Sequence, residues 1–307
     1  MTNATLMKSA FTILAALLLA PLATLHAAAE PDPLPATPRP RIENLRLNGE
    51  QWTCSADGKP LTGVLLRPEG RGPFPAIILS HGLGGSAQGI ALSKGRELVK
   101  WGFVCIATDY THAGQGGWRG GGDASRQRPG LAGGPDGVRR GVTEVDFSQA
   151  GARPENIRRA LACLEILCQQ KDVEVRHIAA YGHSMGAFVT MALAAAAADR
   201  LAAAAITSGG VKIAAGSTAA APTTNVAGVV RVPFLILQGA QDKTVPPESS
   251  ALFKQVLDQN KVPNERHVFE GVGHNVPTER AAEVNRLMRE WFTCHGLLET
   301  AQSHEAK

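Results

Sequence analysis

Gly182-His183-Ser184-Met185-Gly186 is the stretch whose reading decides the architecture of this chain. It follows an apolar run at residues 178–181 and precedes an alanine-rich run at residues 188–198. Where a strand turns sharply into a helix, a serine at the turn is held with its hydroxyl outside the carboxyl end of the sheet. Glycines on either side remove the Cβ atoms that would collide where strand and helix cross. Gly-x-Ser-x-Gly recurs in unrelated chains, so the pentapeptide alone decides little. The strand before it and the helix after it make Ser184 a candidate nucleophile rather than a small residue packed in a tight turn.

A serine hydroxyl is unreactive at its own pKa and needs a base, which in turn needs an acid to orient it. After such a turn the partners are expected in the order Ser, Asp or Glu, His. Val232-Pro233-Phe234-Leu235-Ile236-Leu237-Gln238-Gly239 reads as a buried parallel strand, and the loop leaving it, Ala240-Gln241-Asp242-Lys243-Thr244-Val245-Pro246, presents Asp242 as the candidate acid. The bland alternative for Asp242 is a cap on the helix expected from Pro247. A further strand at residues 265–269 runs into Glu270-Gly271-Val272-Gly273-His274-Asn275, a glycine-flanked turn able to carry an imidazole back over the sheet. His274 is therefore the candidate base. His267, His295, His112 and His177 compete with it, but none follows the last strand in a glycine turn, and they read as surface or strand residues. His183 and His81 read as packing or hydrogen-bonding neighbours of the proposed catalytic backbone.

Attack on a carbonyl creates an oxyanion that needs two preorganised N–H donors. The backbone of Met185, next after the nucleophile, is one candidate. The loop after the strand at residues 74–80, His81-Gly82-Leu83-Gly84-Gly85, offers Leu83 as the second.

Taken together these segments resemble the α/β-hydrolases, and within that fold the dienelactone-hydrolase-like group. The resemblance covers residues 61–292. It rests on the His81 to Gly85 segment, the strand ending in Thr108-Asp109-Tyr110, the turn at Ser184, Gly239-Ala240-Gln241-Asp242, and Gly273-His274. It implies an α/β fold with a mostly parallel central sheet covered by helices on both faces. Dienelactone hydrolases proper use a cysteine nucleophile where this chain has Ser184, which shifts the implied activity toward a serine esterase or related acyl hydrolase. The resemblance is specific for the fold and far less so for the substrate. Small-molecule esters, polyesters, acetylated polysaccharides, and amides or peptides all remain open, and none of these reactions requires a metal or an organic cofactor.

The first residues are expected to be no part of that fold. Lys8, the apolar run at residues 10–20, and Ala27-Ala28-Ala29 before Glu30 have the charge, length and small-residue cleavage site of a secretory signal peptide at residues 1–29. Pro21 and the shortness of the run argue against an uncleaved membrane anchor. Residues 30–45 read as an extended proline-rich leader, 46–296 as one catalytic domain, and 297–307 as a tail. Export to a periplasm or the exterior makes the five cysteines informative, because Cys54, Cys105, Cys163, Cys168 and Cys294 leave one unpaired in any scheme. Cys105 lies in a strand and reads as a buried thiol, while Cys163 and Cys168 point different ways on one helix. At most one or two disulfides are expected, with the pairing open. Thirty-one basic against 27 acidic residues give a net charge of +4, which implies neither nucleic-acid nor anionic-membrane partners.

Elsewhere, residues 64–66 and 76–79 read as strands, 91–100 as a helix, and 103–108 as a strand. Residues 156–169 read as a helix with Ile157, Leu161, Leu164 and Leu167 or Cys168 on one side, 201–206 as a strand, and 279–292 as the last helix. Alternation of this kind implies a parallel, doubly covered sheet with ligands at its carboxyl edge. Residues 112–152 form a Gly- and Arg-rich insertion containing Trp118, Arg126 and Arg128, either folded over the site or disordered. Residues 209–230, where relatives carry a cap, are too few for a large helical lid, so an open site is expected.

Two readings from other classes compete. Gly82-Leu83-Gly84-Gly85-Ser86-Ala87 after a strand, with Asp109 ending a later one, satisfies a loose dinucleotide fingerprint. A non-catalytic binding protein could also keep this fold. Neither accounts for the serine turn, the acid loop and the histidine turn occurring together.

Overall fold

The structure, a computed structural model, describes residues 38–114, 149–213 and 220–299. The expected signal peptide, residues 30–37 of the leader, the part of the insertion holding Trp118, Arg126 and Arg128, and residues 300–307 lie outside the described residues. β1 begins at Ile42, within the stretch expected as leader.

The sheet runs in the order β1-β2-β3-β5-β4-β6-β7-β8-β9. These are β1 (Ile42–Asn48), β2 (Gln51–Ala56), β3 (Lys59–Leu66), β4 (Phe74–Ser80), β5 (Val104–Thr108), β6 (Val173–His183), β7 (Ala203–Thr207), β8 (Phe234–Gly239) and β9 (Asn264–Phe269). Pairings from β1 to β3, and of β3 with β5, are antiparallel; all those beyond are parallel. The fold is that of an α/β-hydrolase.

Period-two alternation explains why the central strands are apolar throughout. Ala76 and Ile78 of β4, Val104 and Ile106 of β5, and Phe234 and Ile236 of β8 enter the core on one face. Their alternates Ile77, Leu79, Cys105, Ala107, Leu235 and Leu237 enter the core on the other. The first face is covered by α3 (Pro154–Cys168), α4 (Met185–Ala196) and α6 (Pro247–Gln259). The second is covered by α1 (Ala87–Ile90), a π-helical turn at Ala91–Gly95, α2 (Arg96–Lys100) and α8 (Ala281–Cys294).

Several local expectations shift. The helix expected over 91–100 starts four residues earlier, because Ser86 accepts from the Gly89 N–H and caps it. The last helix is broken at Arg280, leaving the short α7 (Val276–Glu279) ahead of α8. Between residues 209 and 230 the described residues hold one short helix, α5 (Thr224–Gly228). All five cysteines are free: Cys54, Cys105 and Cys163 are buried, Cys168 is half-buried and Cys294 is exposed. No helix among the described residues is long and apolar enough to cross a membrane.

Candidate active site

Ser184 sits between β6 and α4 with φ 55° and ψ −119°, a left-handed conformation strained for a residue with a side chain. The strain is over-determined by the packing around it. A Cβ on Gly186 would run into the Ser80 carbonyl, and one on Gly182 into the Gly186 backbone, so β4, β6 and α4 approach too closely there for anything but glycine. The Ser184 N–H is anchored to the Thr207 carbonyl on neighbouring β7 at 3.0 Å.

The acid and the base come from the next parallel strands. Asp242 lies in the loop after β8, where its Oδ1 accepts from the backbone N–H groups of Thr244 and Val245, each at 2.9 Å. Its Oδ2 accepts from Gln238 Nε2 at 3.1 Å. The reading of Asp242 as a helix cap is thereby set aside: α6 begins beyond it and has no side-chain cap. His274 lies in the turn after β9, with Nδ1 donating to Asp242 Oδ2 at 2.8 Å and Nε2 accepting from Ser184 Oγ at 2.8 Å. A Cβ on Gly239 would strike the Gly273 carbonyl, so the acid loop and the histidine turn are packed backbone against backbone. Ser208 Oγ donates to the His274 carbonyl at 2.7 Å and holds the turn in place. Burial works against the Asp242 carboxylate, but the hydrogen bonds from His274, Val245 and Thr244 outweigh it and hold the group below the usual carboxylate range.

The expected oxyanion donors lie on the two segments that meet at Ser184, Leu83 on the loop after β4 and Met185 at the start of α4. Met185 is the first residue of α4, where a backbone N–H has no intrahelical acceptor. Leu83 sits in a turn whose own bonds use its neighbours, Gly84 N–H to the His112 carbonyl at 3.1 Å and Gly85 N–H to the Gly82 carbonyl at 3.0 Å. Leu83, Ser184, Thr244, His274 and Asn275 line a cavity of about 180 Å³.

Sequence reasoning placed His112 among residues without a part in the site, and the structure corrects this. His112 is fully buried, donates from Nε2 to the His81 carbonyl at 3.1 Å, and stacks on Tyr110 with ring centroids 5.6 Å apart. Burial, followed by the neighbouring His81, pushes it down to about 3 and keeps it neutral. His81 accepts from the Tyr110 N–H on Nε2 at 3.1 Å, so its proton lies on Nδ1, facing the Gly82 carbonyl at 2.9 Å. Together these rings brace the Leu83 loop from below. The spacing from Tyr110 to His112 was the available signal, but nothing in it says that β5 lies beside β4.

Asn156, in the first turn of α3, was likewise invisible. It is fully buried, accepts on Oδ1 from the Thr111 N–H at 2.9 Å, and donates to the carbonyls of Gln149 at 3.1 Å and Gly151 at 3.0 Å. It thus clasps both described ends of the insertion. Next to it, Ala150, Met185, Phe188, Ala220 and Val245 form a small apolar cluster at the edge of the site.

The dinucleotide reading fails on geometry. Asp109 Oδ1 accepts from the Ala87 N–H at 2.6 Å, placing a carboxylate at the helix N-terminus where a pyrophosphate would sit.

Comparison with known proteins agrees with this architecture. No curated protein matches the chain in sequence. Among solved structures it is similar to 2,6-dihydroxy-pseudo-oxynicotine hydrolase, at 17% identity and a TM-score of 0.59 over 81% of this chain and 68% of that one. It is similar to Thermogutta terrifontis esterase 2 phosphonylated by cyclosarin, at 15% identity and a TM-score of 0.59 over 87% and 98% of the two chains. It is also similar to an acetyl xylan esterase from Paenibacillus sp. R4, at 18% identity and a TM-score of 0.54 over 81% and 88%. At these identities the structures establish the shared fold. The model of the dienelactone hydrolase family matches residues 61–294, and the chain belongs to that family of hydrolases.

Proposed function

We propose that the protein is an exported serine hydrolase that cleaves carboxylic esters through an acyl-enzyme. The observation that carries this reading is the unbroken relay from Ser184 Oγ to His274 at 2.8 Å and from His274 to Asp242 at 2.8 Å. As Oγ attacks the ester carbonyl, its proton passes to His274 Nε2. The tetrahedral oxyanion is met by the N–H groups of Met185 and Leu83. Collapse expels the alkoxide, which takes the proton from His274. Water then enters, loses a proton to the same nitrogen, and releases the acid and Ser184. Asp242 stays ionised throughout and stabilises the imidazolium. His183, whose ring centroid is 5.2 Å from that of His274, is held neutral first by burial and then by the charge of His274 itself, at about 3, so it adds no competing positive charge. The modest cavity at the serine favours short acyl groups, and the apolar run after Lys8 with its alanine cleavage site supports export.

The test is hydrolysis of p-nitrophenyl esters from acetate to palmitate by the mature protein and by Ser184→Ala, with fluorophosphonate labelling alongside. A rate at least a thousandfold lower in the variant, with labelling lost, supports the reading. Equal rates, or no ester hydrolysis by either protein, overturn it.

A further inference from the structure

β7 lies between the strand that delivers Ser184 and the strand that delivers Asp242. Its residues Ala203 to Ile206 are apolar and buried, as a central strand requires. The chain then turns polar at Thr207 and Ser208, and both are fully buried. Buried hydroxyls need partners, and theirs lie on or beside the reacting residues. The Thr207 carbonyl accepts from the Ser184 N–H at 3.0 Å. The Tyr181 hydroxyl donates to Thr207 Oγ1 at 3.1 Å, and Oγ1 in turn donates to His183 Nδ1 at 3.0 Å. The His183 ring packs against His274, with centroids 5.2 Å apart and planes tilted by 45°. Ser208 Oγ donates to the His274 backbone carbonyl at 2.7 Å. Two consecutive residues therefore hold the nucleophile's backbone, the ring beside the base, and the base's own backbone.

The conformation of Ser208 fits such a part. Its φ is 51°, left-handed and strained for a residue with a side chain. Its N–H is held by the Leu237 carbonyl of β8 at 2.9 Å, and a Cβ on Gly209 would come within 2.3 Å of the Ala187 side chain on α4, so the chain has one path out of β7. Ser184 repeats this arrangement one strand away, with φ 55° and its N–H on a carbonyl of the next strand. Two neighbouring strands thus end in strained serines, and both hydroxyls meet His274, one at Nε2 and one at the backbone carbonyl. Asp242 orients the imidazole through Nδ1, but a bond to one ring nitrogen does not fix how far the ring stands from Ser184. We infer that Thr207 and Ser208 are a positioning pair that sets the separation of nucleophile and base from a single strand end. This rests on the serine-hydrolase reading above.

The experiment measures burst and steady-state kinetics on p-nitrophenyl acetate for wild type, Ser208→Ala, Ser208→Gly, Thr207→Val and Thr207→Ser, with competent sites counted by fluorophosphonate titration taken to completion. Ser208→Ala and Thr207→Val should each lower kcat per titrated site by about ten- to a hundredfold with KM changed less than threefold, since a displaced base loses transition-state rather than ground-state interactions. Burst and steady-state rates should fall together, because His274 serves both half-reactions. Ser208→Gly keeps the left-handed turn without the hydroxyl and should be as slow as Ser208→Ala. Thr207→Ser keeps the hydroxyl and should recover most of the wild-type rate. A merely structural role would reduce the number of titratable sites and leave the rate at each unchanged, and that result overturns the inference. So does a rate per site within threefold of wild type in either Thr207→Val or Ser208→Gly, which decide the matter even if Ser208→Ala does not fold. A wild-type protein that neither cleaves the ester nor takes the label overturns the serine-hydrolase reading instead, and the positioning pair with it.

Discussion

Gln238 Nε2 donates to Asp242 Oδ2 at 3.1 Å, so the last inward-facing polar group of β8 holds the acid that orients His274. The same amide nitrogen also reaches the Val245 carbonyl at 3.1 Å and ties down the far side of the acid loop. Its own carbonyl oxygen is buried with no partner among the described residues. Gln238→Leu removes both tethers at similar volume. The expected result is a fall in kcat of about tenfold with little change in KM, since a misaligned base loses transition-state rather than ground-state interactions. Steady-state kinetics on a neutral ester checks this, and an unchanged kcat would show that the Thr244 and Val245 amides orient Asp242 by themselves.

Asp242→Asn keeps the shape of the loop but reverses the hydrogen-bond polarity toward His274 Nδ1, favouring the wrong tautomer. A loss in kcat of about 10³- to 10⁴-fold is expected at neutral pH, with thermal stability changed far less than activity. Rates and melting temperatures measured on one preparation separate the two effects.

Gly186→Ala places a methyl group against the Ser80 carbonyl at the crossing of β4 and α4, backbone that cannot swing aside. Soluble folded protein should be lost, or stability lowered by more than about 4 kcal/mol, the range reserved for such clashes. Gly89→Ala is the control, because its added Cβ would come no closer than 3.3 Å, to the tip of the Ser86 side chain. Circular dichroism melts of the two variants should differ sharply.

Asn156→Ala leaves the Thr111 N–H and the Gln149 and Gly151 carbonyls without the side chain that joins them. Losing these three hydrogen bonds at a buried site is expected to cost about 2–4 kcal/mol. Limited proteolysis near residues 111 and 149 should accelerate. Denaturant titration that shows a cost below about 1 kcal/mol would mean that the two ends are held by other contacts.

Glu155 ties Lys59, Arg158 and Arg159 together at the start of α3, and Arg158 continues to the Ala56 carbonyl of β2 at 3.0 Å. The Arg158 guanidinium, above all, holds the Glu155 carboxyl down at about 2 against an ordinary value of 4.5. Because the folded value lies below the unfolded one, the stabilisation is present above about pH 4.5 and fades as the pH falls toward 2. Glu155→Gln should therefore lower the melting temperature at pH 7 and narrow the gap to wild type at pH 3. A gap that stays constant across that range would show that the carboxylate charge contributes nothing to stability.

What the sequence by itself determined is what local chemistry dictates. The apolar runs of β4, β5 and β8 can be satisfied only between two layers. The glycines around Ser184 and His274 mark places where backbones must touch. The chain order of Ser184, Asp242 and His274 follows from successive parallel strands delivering residues to one edge. Register, charge and short polar contacts escaped it. β1 at the sheet edge and β2 beside it are short mixed-polarity strands whose partners are named by no local pattern, and the start of α1 depends on Ser86, whose cap is easy to overlook in a glycine-rich turn. His112 bracing the Leu83 loop, Asn156 holding Thr111, and Lys94 lying over Tyr181 all join residues whose nearness follows from the order of strands in the sheet. Each of those polar groups is buried, so its partner is set by which surfaces the tertiary fold brings together and removes from water. That is information no single stretch of this chain contains.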